Sequence, residues 1–186
     1  MAEKVITWKS EEYHSVEECV CDFEPALVKI NGHIDGATAG AAFTIKYSIV
    51  ADQNWQTLSF NVAGNCGIKR LQWHGFVESG GLWRINGDAR EDLEGCIDID
   101  LSLSPSTNSL PVNRLFRGST RDALIKVVYL DVLNQQISAK FQQYLRLSAG
   151  KFNYQNVPND FEADITVDED GFVISYPKLF ERLDPA

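Results

Sequence analysis

The sequence predicts an all-β protein, predominantly antiparallel, with one short helix. Three observations carry this. Apolar and polar residues alternate in run after run, the period of a half-buried strand; Phe43, Ile45, Tyr47 and Ile49 oppose Thr44, Lys46 and Ser48. Turn chemistry separates the runs roughly every ten residues, the rhythm of hairpins in a barrel, roll or sandwich. The pair Asn86-Gly87 lies between two apolar runs, and both residue types accept the positive φ of a tight hairpin turn.

The elements follow in order. Val5 to Trp8 is a short strand, Ser10 to Ser15 a polar turn, and Glu17 to Asp22 alternates again, with Val20 between Cys19 and Cys21. Pro25 interrupts, Leu27 to Ile34 resumes as a strand that is not cleanly one-sided, and Asp35 to Gly40 reads as a loop of small residues. Ala42 to Val50 and the run Leu58, Phe60, Val62 form a hairpin across Asp52-Gln53-Asn54. Gly64 to Gly67 turns into Ile68 to Phe76, and Glu78 to Gly81 turns into Leu82 to Ile85. Beyond the centre, the β-branched residues of Ile125 to Val132 favour a strand over a helix. Ile137 to Leu147 alternates, with Ile137, Ala139, Phe141, Leu145 and Leu147 on one face and Gln143 as its polar exception. Phe161 to Val167 and Phe172 to Tyr176 form a hairpin across Asp168 to Gly171, and Lys178 to Arg182 reads as a helical turn.

The most informative stretch is Gly95 to Leu115. Cys96 to Leu103 alternates, placing Ile97, Ile99, Leu101 and Leu103 on one face and Asp98 and Asp100 on the other. Ser104 to Asn108 offers loop chemistry, and Asn108 or Ser109 can cap a helix with Pro111 in its first turn and Leu110, Val112 and Leu115 on its apolar side. Arg114 and Arg117 follow a short loop after the aspartates. Guanidinium groups bind carboxylates and phosphates alike, so the cluster reads either as a salt-bridge lock fixing helix to strand or as a polar anchor for a ligand head group.

Composition narrows the function. The chain of 186 residues is sized for one domain, 1–186, with a substantial core, and its 44% hydrophobic and 23% charged residues are ordinary for a soluble protein. A net charge of −9 argues against nucleic-acid partners and against peripheral docking on anionic lipid. No run approaches the roughly 20 apolar residues of a transmembrane segment, and Met1 to Trp8 lacks the apolar stretch of a signal peptide; a cytoplasmic location is expected. Cys19 and Cys21 are spaced too closely for the usual metal pair and, with Cys66 and Cys96, read as reduced structural thiols. No phosphate-binding loop, dinucleotide fingerprint, nucleophile elbow or zinc motif occurs, so no catalytic residue, metal ligand or cofactor is assigned. His74 is read as a strand-end residue without a nucleophile to serve.

The central stretch resembles the signature of the bacterial putative glycolipid-binding family. Gly95, Cys96, Asp98, Asp100, Leu101, Pro105, Thr107, Asn108, Leu110, Pro111, Arg114 and Leu115 match it in place. Ser104 and Ser109 stand for threonines, Ser106 for an aromatic residue and Asn113 for an arginine. The likeness extends through Gly80-Gly81-Leu82-Trp83, Asn86-Gly87, Gln143-Tyr144 and Tyr176-Pro177 with Phe180 and Arg182, and so covers most of the chain. It implies a spiral β-roll, a half-open barrel-like sheet wrapped around one short helix near Leu110 to Phe116, and a glycolipid or other amphiphile held in its cleft. The expected ligand-binding residues are Trp83, Asp98, Asp100, Thr107, Asn108, Arg114 and Tyr144. Aromatic rings with a polar tip suit such a pocket. Two alternatives remain open. One is a hydrolase-like enzyme using Asp98 or Asp100 as its acid/base group; the other is a non-catalytic structural or interaction module.

Overall fold

The period-2 patterning resolves into fifteen strands of one sheet in a computed structural model that describes residues 2–38 and 40–183. Ala2–Ser10 (β1), Ser15–Phe23 (β2), Leu27–Thr38 (β3), Ala41–Asp52 (β4), Thr57–Cys66 (β5), Lys69–Val77 (β6), Trp83–Ile85 (β7) and Asp88–Arg90 (β8) form an antiparallel meander running outward from β1. The chain then crosses to the opposite edge of the sheet at Asp98–Leu101 (β9), passes through the helix Ser109–Phe116 (α1), and returns as Asp122–Asp131 (β10), parallel to β9. A parallel pair needs such a crossover, and a helix supplies it. Gln136–Ser148 (β11), Lys151–Val157 (β12), Glu162–Val167 (β13), Val173–Tyr176 (β14) and Phe180–Leu183 (β15) meander back to the middle, where β15 pairs antiparallel with β1. The result is all-β: one large, mostly antiparallel open sheet with a single short α-helix among the described residues.

Strands β9 and β10 are buried on both faces and separate two cores. Ile99, Leu101, Val128 and Leu130 face a first core filled from β1–β7 by Ile30, Ile34, Ile45, Ile49, Phe60 and their neighbours. Ile125 and Val127 face a second core, shared with Val112 and Phe116 of α1 and with Tyr144, Phe152, Tyr154 and Tyr176. Strands buried on both sides read as continuous apolar runs, which is why Leu124 to Leu130 shows no clean alternation. Two indole N–H groups brace the assembly: Trp8 Nε1 donates to Val173 O at 2.8 Å and Trp83 Nε1 to Cys96 O at 2.9 Å.

Several expectations are corrected. Asp35 to Thr38 continues β3, because Ala37 and Thr38 pair with Ala42 and Ala41; Ala39, within the expected loop, lies outside the described residues. The expected helical turn at Lys178 to Arg182 is instead a turn followed by β15, which fills the gap between β14 and β1. Strand β9 is shorter than expected, Asp98–Leu101, and Ile97 is exposed while Cys96 is buried. On β11 the apolar face Phe141, Leu145, Leu147 points outward, and Gln142 and Tyr144 point into the second core. Strand β12 has no clear signal in the sequence; its polar residues Asn153, Gln155 and Asn156 mask the inward pair Phe152 and Tyr154. The helix is not capped by Asn108 or Ser109: a 3₁₀ turn, Pro105–Asn108, runs straight into α1, and Ser104 Oγ accepts from Ser106 N at its start.

Candidate functional site

The two aspartates of β9 project from the same face, beside Val127 and Tyr129 of β10, yet meet different surroundings. Asp98 is fully buried, and Arg114 of α1 grips it in a fork, Nε to Oδ1 at 3.1 Å and Nη2 to Oδ2 at 2.5 Å. Burial pushes the Asp98 carboxyl up and the guanidinium pulls it back. Asn113 completes the attachment of the helix: its Nδ2 donates to Ser109 O and to Asp170 O in the β13–β14 turn, at 2.9 and 2.8 Å. Gly171 makes this approach possible, since a Cβ there would lie 2.4 Å from Asn113 Nδ2. Trp83 is fully buried and its N–H is spent on Cys96 O. The geometry of Trp83, Asp98 and Arg114 is that of a lock between helix, strand and sheet.

Asp100 is only partly buried and opens onto a cleft of about 510 Å³. Its Oδ2 accepts from Gln142 Nε2 at 2.6 Å and its Oδ1 from Thr107 Oγ1 at 3.4 Å. Asn108 shares the cleft wall, and its Nδ2 donates to the Tyr144 hydroxyl at 2.8 Å. Of the seven residues expected from the sequence, Asp100 and Asn108 line this cleft; Thr107 and Tyr144 hold those two from behind, and Trp83, Asp98 and Arg114 do not line it. The other wall is aromatic. Tyr13, Phe180, Tyr176, Tyr154 and Phe161 follow one another with ring centroids 5.9 to 6.2 Å apart. Tyr129 joins from β10, and Phe141 and Val157 stand half-exposed at the mouth.

Burial, only partly offset by the Gln142 and Thr107 hydrogen bonds, raises the Asp100 carboxyl to about 6. The phenols of Tyr13, Tyr129, Tyr144, Tyr154 and Tyr176 are all raised, by burial first and then by the Asp100 charge among others. The carboxylate therefore sits within electrostatic reach of five tyrosines.

A second polar cluster lies behind Ser104, which also lines the cleft. Glu17 of β2 is 2% exposed; its Oε1 accepts from Ser104 Oγ at 2.6 Å and from the Tyr47 hydroxyl, and its Oε2 has no partner among the described residues. Tyr47 also bonds Ser106 Oγ at 2.9 Å, so Ser106, a departure from the family signature, belongs to this knot. Gly32 gives the Tyr47 ring its passage, because a Cβ there would fall 2.2 Å from Cε1. Burial lifts the Glu17 carboxyl to about 7.

Sequence reasoning missed Gln142, Tyr129, Phe161 and Glu17. The alternation of Gln142 with Phe141 is visible in the sequence, but its direction is not. Among the described residues no three of His, Cys, Asp and Glu gather to hold a metal ion. His74 is exposed and hydrogen-bonded to Asn61 Oδ1 at 2.8 Å on β5, outside the cleft wall. All four thiols are free, and burial raises Cys21 to about 12 and Cys96 to about 11, so they are poor nucleophiles. Among the described residues no helix is long and apolar enough to cross a membrane.

Comparison with known proteins agrees with this architecture. A family model described as "Putative glycolipid-binding" matches residues 5–182. The crystal structure of a DUF1089 family protein from Pseudomonas aeruginosa superimposes with a TM-score of 0.78 at 28% identity, covering 91% of this chain and 92% of that one. No curated protein matches the chain.

Proposed function

The chain belongs to the putative glycolipid-binding family, and on that premise we propose that it binds a glycolipid or another amphiphile in the cleft beside Asp100. The observation that carries this reading is the cleft itself: about 510 Å³, within the range of small-molecule sites, with an aromatic wall and a polar floor. The floor is Asp100, Asn108, Ser104 and Gln142, which orient a head group; the rings of Tyr154, Tyr176, Phe161 and Phe180 take its apolar neighbour. Thr107 and Tyr144 act as positioning residues through Asp100 and Asn108. Trp83, Asp98 and Arg114 serve the site at one remove, by fixing α1 and β9.

We read residues 1–186 as one domain, supported by the unbroken sheet through β1 and β15. Free thiols at Cys19, Cys21, Cys66 and Cys96 support a reducing, cytoplasmic location. The test is native mass spectrometry of the purified chain followed by organic extraction, with displacement of a fluorescent acyl probe by the extract. A co-purifying amphiphile whose probe signal drops when Phe161→Ala or Tyr154→Ala is introduced supports the reading. A clean apo mass with no probe binding overturns it.

One observation favours a second reading. A cleft carboxyl raised to about 6 is suited to general acid/base work. Hydrolysis of chromogenic glycosides or esters that is abolished by Asp100→Asn would establish it. Absence of turnover, with Asp100→Asn altering binding alone, leaves the chain a binding protein.

A further inference from the structure

We propose that the cleft selects a cationic head group, an ammonium centre seated on Asp100 and enclosed by tyrosine rings. The inference rests on the amphiphile-binding reading above and names the chemistry of the head.

Anionic heads such as phosphates are held by arginine forks or backbone nests, and no arginine lines this cleft among the described residues. Its fixed charges are the carboxylates of Asp100, Glu12 and Asp160 against the ammonium groups of Lys140 and Lys178. Lys140 and Lys178 are exposed, as are Glu12 and Asp160, whereas Asp100 is drawn inward. The inner end of the cleft therefore carries negative charge and the rim is mixed. A partly desolvated carboxylate with one strong donor, Gln142, gains most from a positive partner.

The rings add an independent attraction. A cation is drawn to the faces of aromatic rings, and cages of such rings with a nearby acid recognise ammonium groups. Tyr129 is the register partner of Asp100 on the neighbouring strand, so its ring rises from the same face beside the carboxylate. Tyr13, Tyr154 and Tyr176 line the same cleft and lie within reach of the Asp100 charge. A neutral sugar also stacks on aromatic rings and can donate hydroxyl hydrogen bonds to Asp100, but it brings no charge to offset that of the carboxylate.

The test holds the tail constant and varies the head. Dodecyltrimethylammonium, dodecylammonium, dodecyl maltoside and dodecyl sulfate are titrated below their micelle concentrations, with calorimetry and tryptophan fluorescence as readouts. At least tenfold tighter binding of the two ammonium amphiphiles than of maltoside and sulfate is expected. Asp100→Asn removes that preference, while Glu91→Gln, an exposed acid outside the cleft, leaves both the preference and maltoside binding unchanged. Maltoside binding as tightly as the ammonium amphiphiles overturns the inference and leaves amphiphile binding intact. The inference falls equally if Glu91→Gln erodes the preference as much as Asp100→Asn does, since bulk charge is then the cause. Failure of all four amphiphiles to bind overturns the amphiphile reading as well. The head-group series is read on the unaltered chain, so a misfolded variant does not shield the idea.

Discussion

The two halves of the sheet solve the problem of an inner face differently. Strands β3–β5 bury the branched aliphatic side chains Ile30, Ile34, Ile45, Ile49 and Val62 in the first core, where they interdigitate beside the rings of Phe43, Tyr47 and Phe60. Strands β11–β15 bury rings instead, Tyr144, Phe152, Tyr154, Tyr176 and Phe180. Rings stand edge to face at 5.2 to 6.1 Å and cannot collapse onto one another. Their hydroxyls also need partners. The half whose centre is branched aliphatic side chains packs closed, and the half whose inner face is mostly rings holds a cleft open. Asp98 and Asp100 condense the same contrast into two residues, one sealed against Arg114, the other facing the cleft.

The contrast can be broken most strongly on its sealed side. Asp98→Asn leaves the Arg114 guanidinium without its counter-charge and is expected to cost about 3–5 kcal/mol, read as a loss of urea midpoint at unchanged slope. A loss below about 1 kcal/mol would mean that the pair does not hold helix to strand. Trp83→Ala should cost a similar amount, about 3–5 kcal/mol, through a cavity in the first core and an orphaned Cys96 carbonyl.

The next effect concerns pH. Glu17 titrates at about 7 when folded against a usual 4.5, so the folded state holds its proton more tightly than the unfolded chain. Its contribution to stability is fully present below 4.5 and is lost as the pH rises through 7, about 3 kcal/mol in the fully buried limit. Asp100, raised from 3.8 to about 6, acts in the same direction. The urea midpoint should thus be higher at pH 5 than at pH 8, and Glu17→Gln should flatten the difference. A midpoint that climbs with pH in the unaltered chain would remove Glu17 from this role.

Asp100→Asn is expected to do the reverse of Asp98→Asn. At pH 8 it relieves a desolvated charge and should raise stability by about 1 kcal/mol. A destabilised Asp100→Asn variant would show that the two aspartates share one structural task. The smallest effect belongs to Phe161→Ala. This ring is only partly buried on the cleft wall, so a stability change within about 1 kcal/mol is expected, with the main change in probe affinity.

Much of this is legible in the residues. Phe43, Ile45, Tyr47 and Ile49 announce β4 and its inward face, and Asn86-Gly87 announces a turn whose residues do adopt φ of 52° and 95°. The Asp98–Arg114 pair is visible as a cluster, and in the fold it forms a buried ion pair. The cleft is not legible. Asp98 and Asp100 have the same local pattern, and only the third dimension tells which one meets Arg114 and which one meets Gln142. Tyr154 and Tyr176 lie on strands paired through β13, so nothing in local spacing brings their rings to 5.9 Å. Strand β15 escapes a local reading because Pro177 and Lys178 signal a turn, and its pairing with β1 is a contact between distant parts of the sequence.

That pairing has a consequence for how the chain is made. Thr7, Trp8 and Lys9 wait for Leu183, Arg182 and Glu181. The meander β1–β8 joins sequence neighbours, so its pairings need nothing from β9–β15. Until β15 is synthesised, one edge of β1 stays unpaired, the kind of edge that recruits strands from other molecules. Lys4 and Lys9 stand along it. In the finished protein Lys9 meets Glu181 and Lys4 meets Asp168 and Asp170. Before that, the same two lysines stand on an unpaired edge strand, where charged side chains disfavour the addition of strands from other molecules.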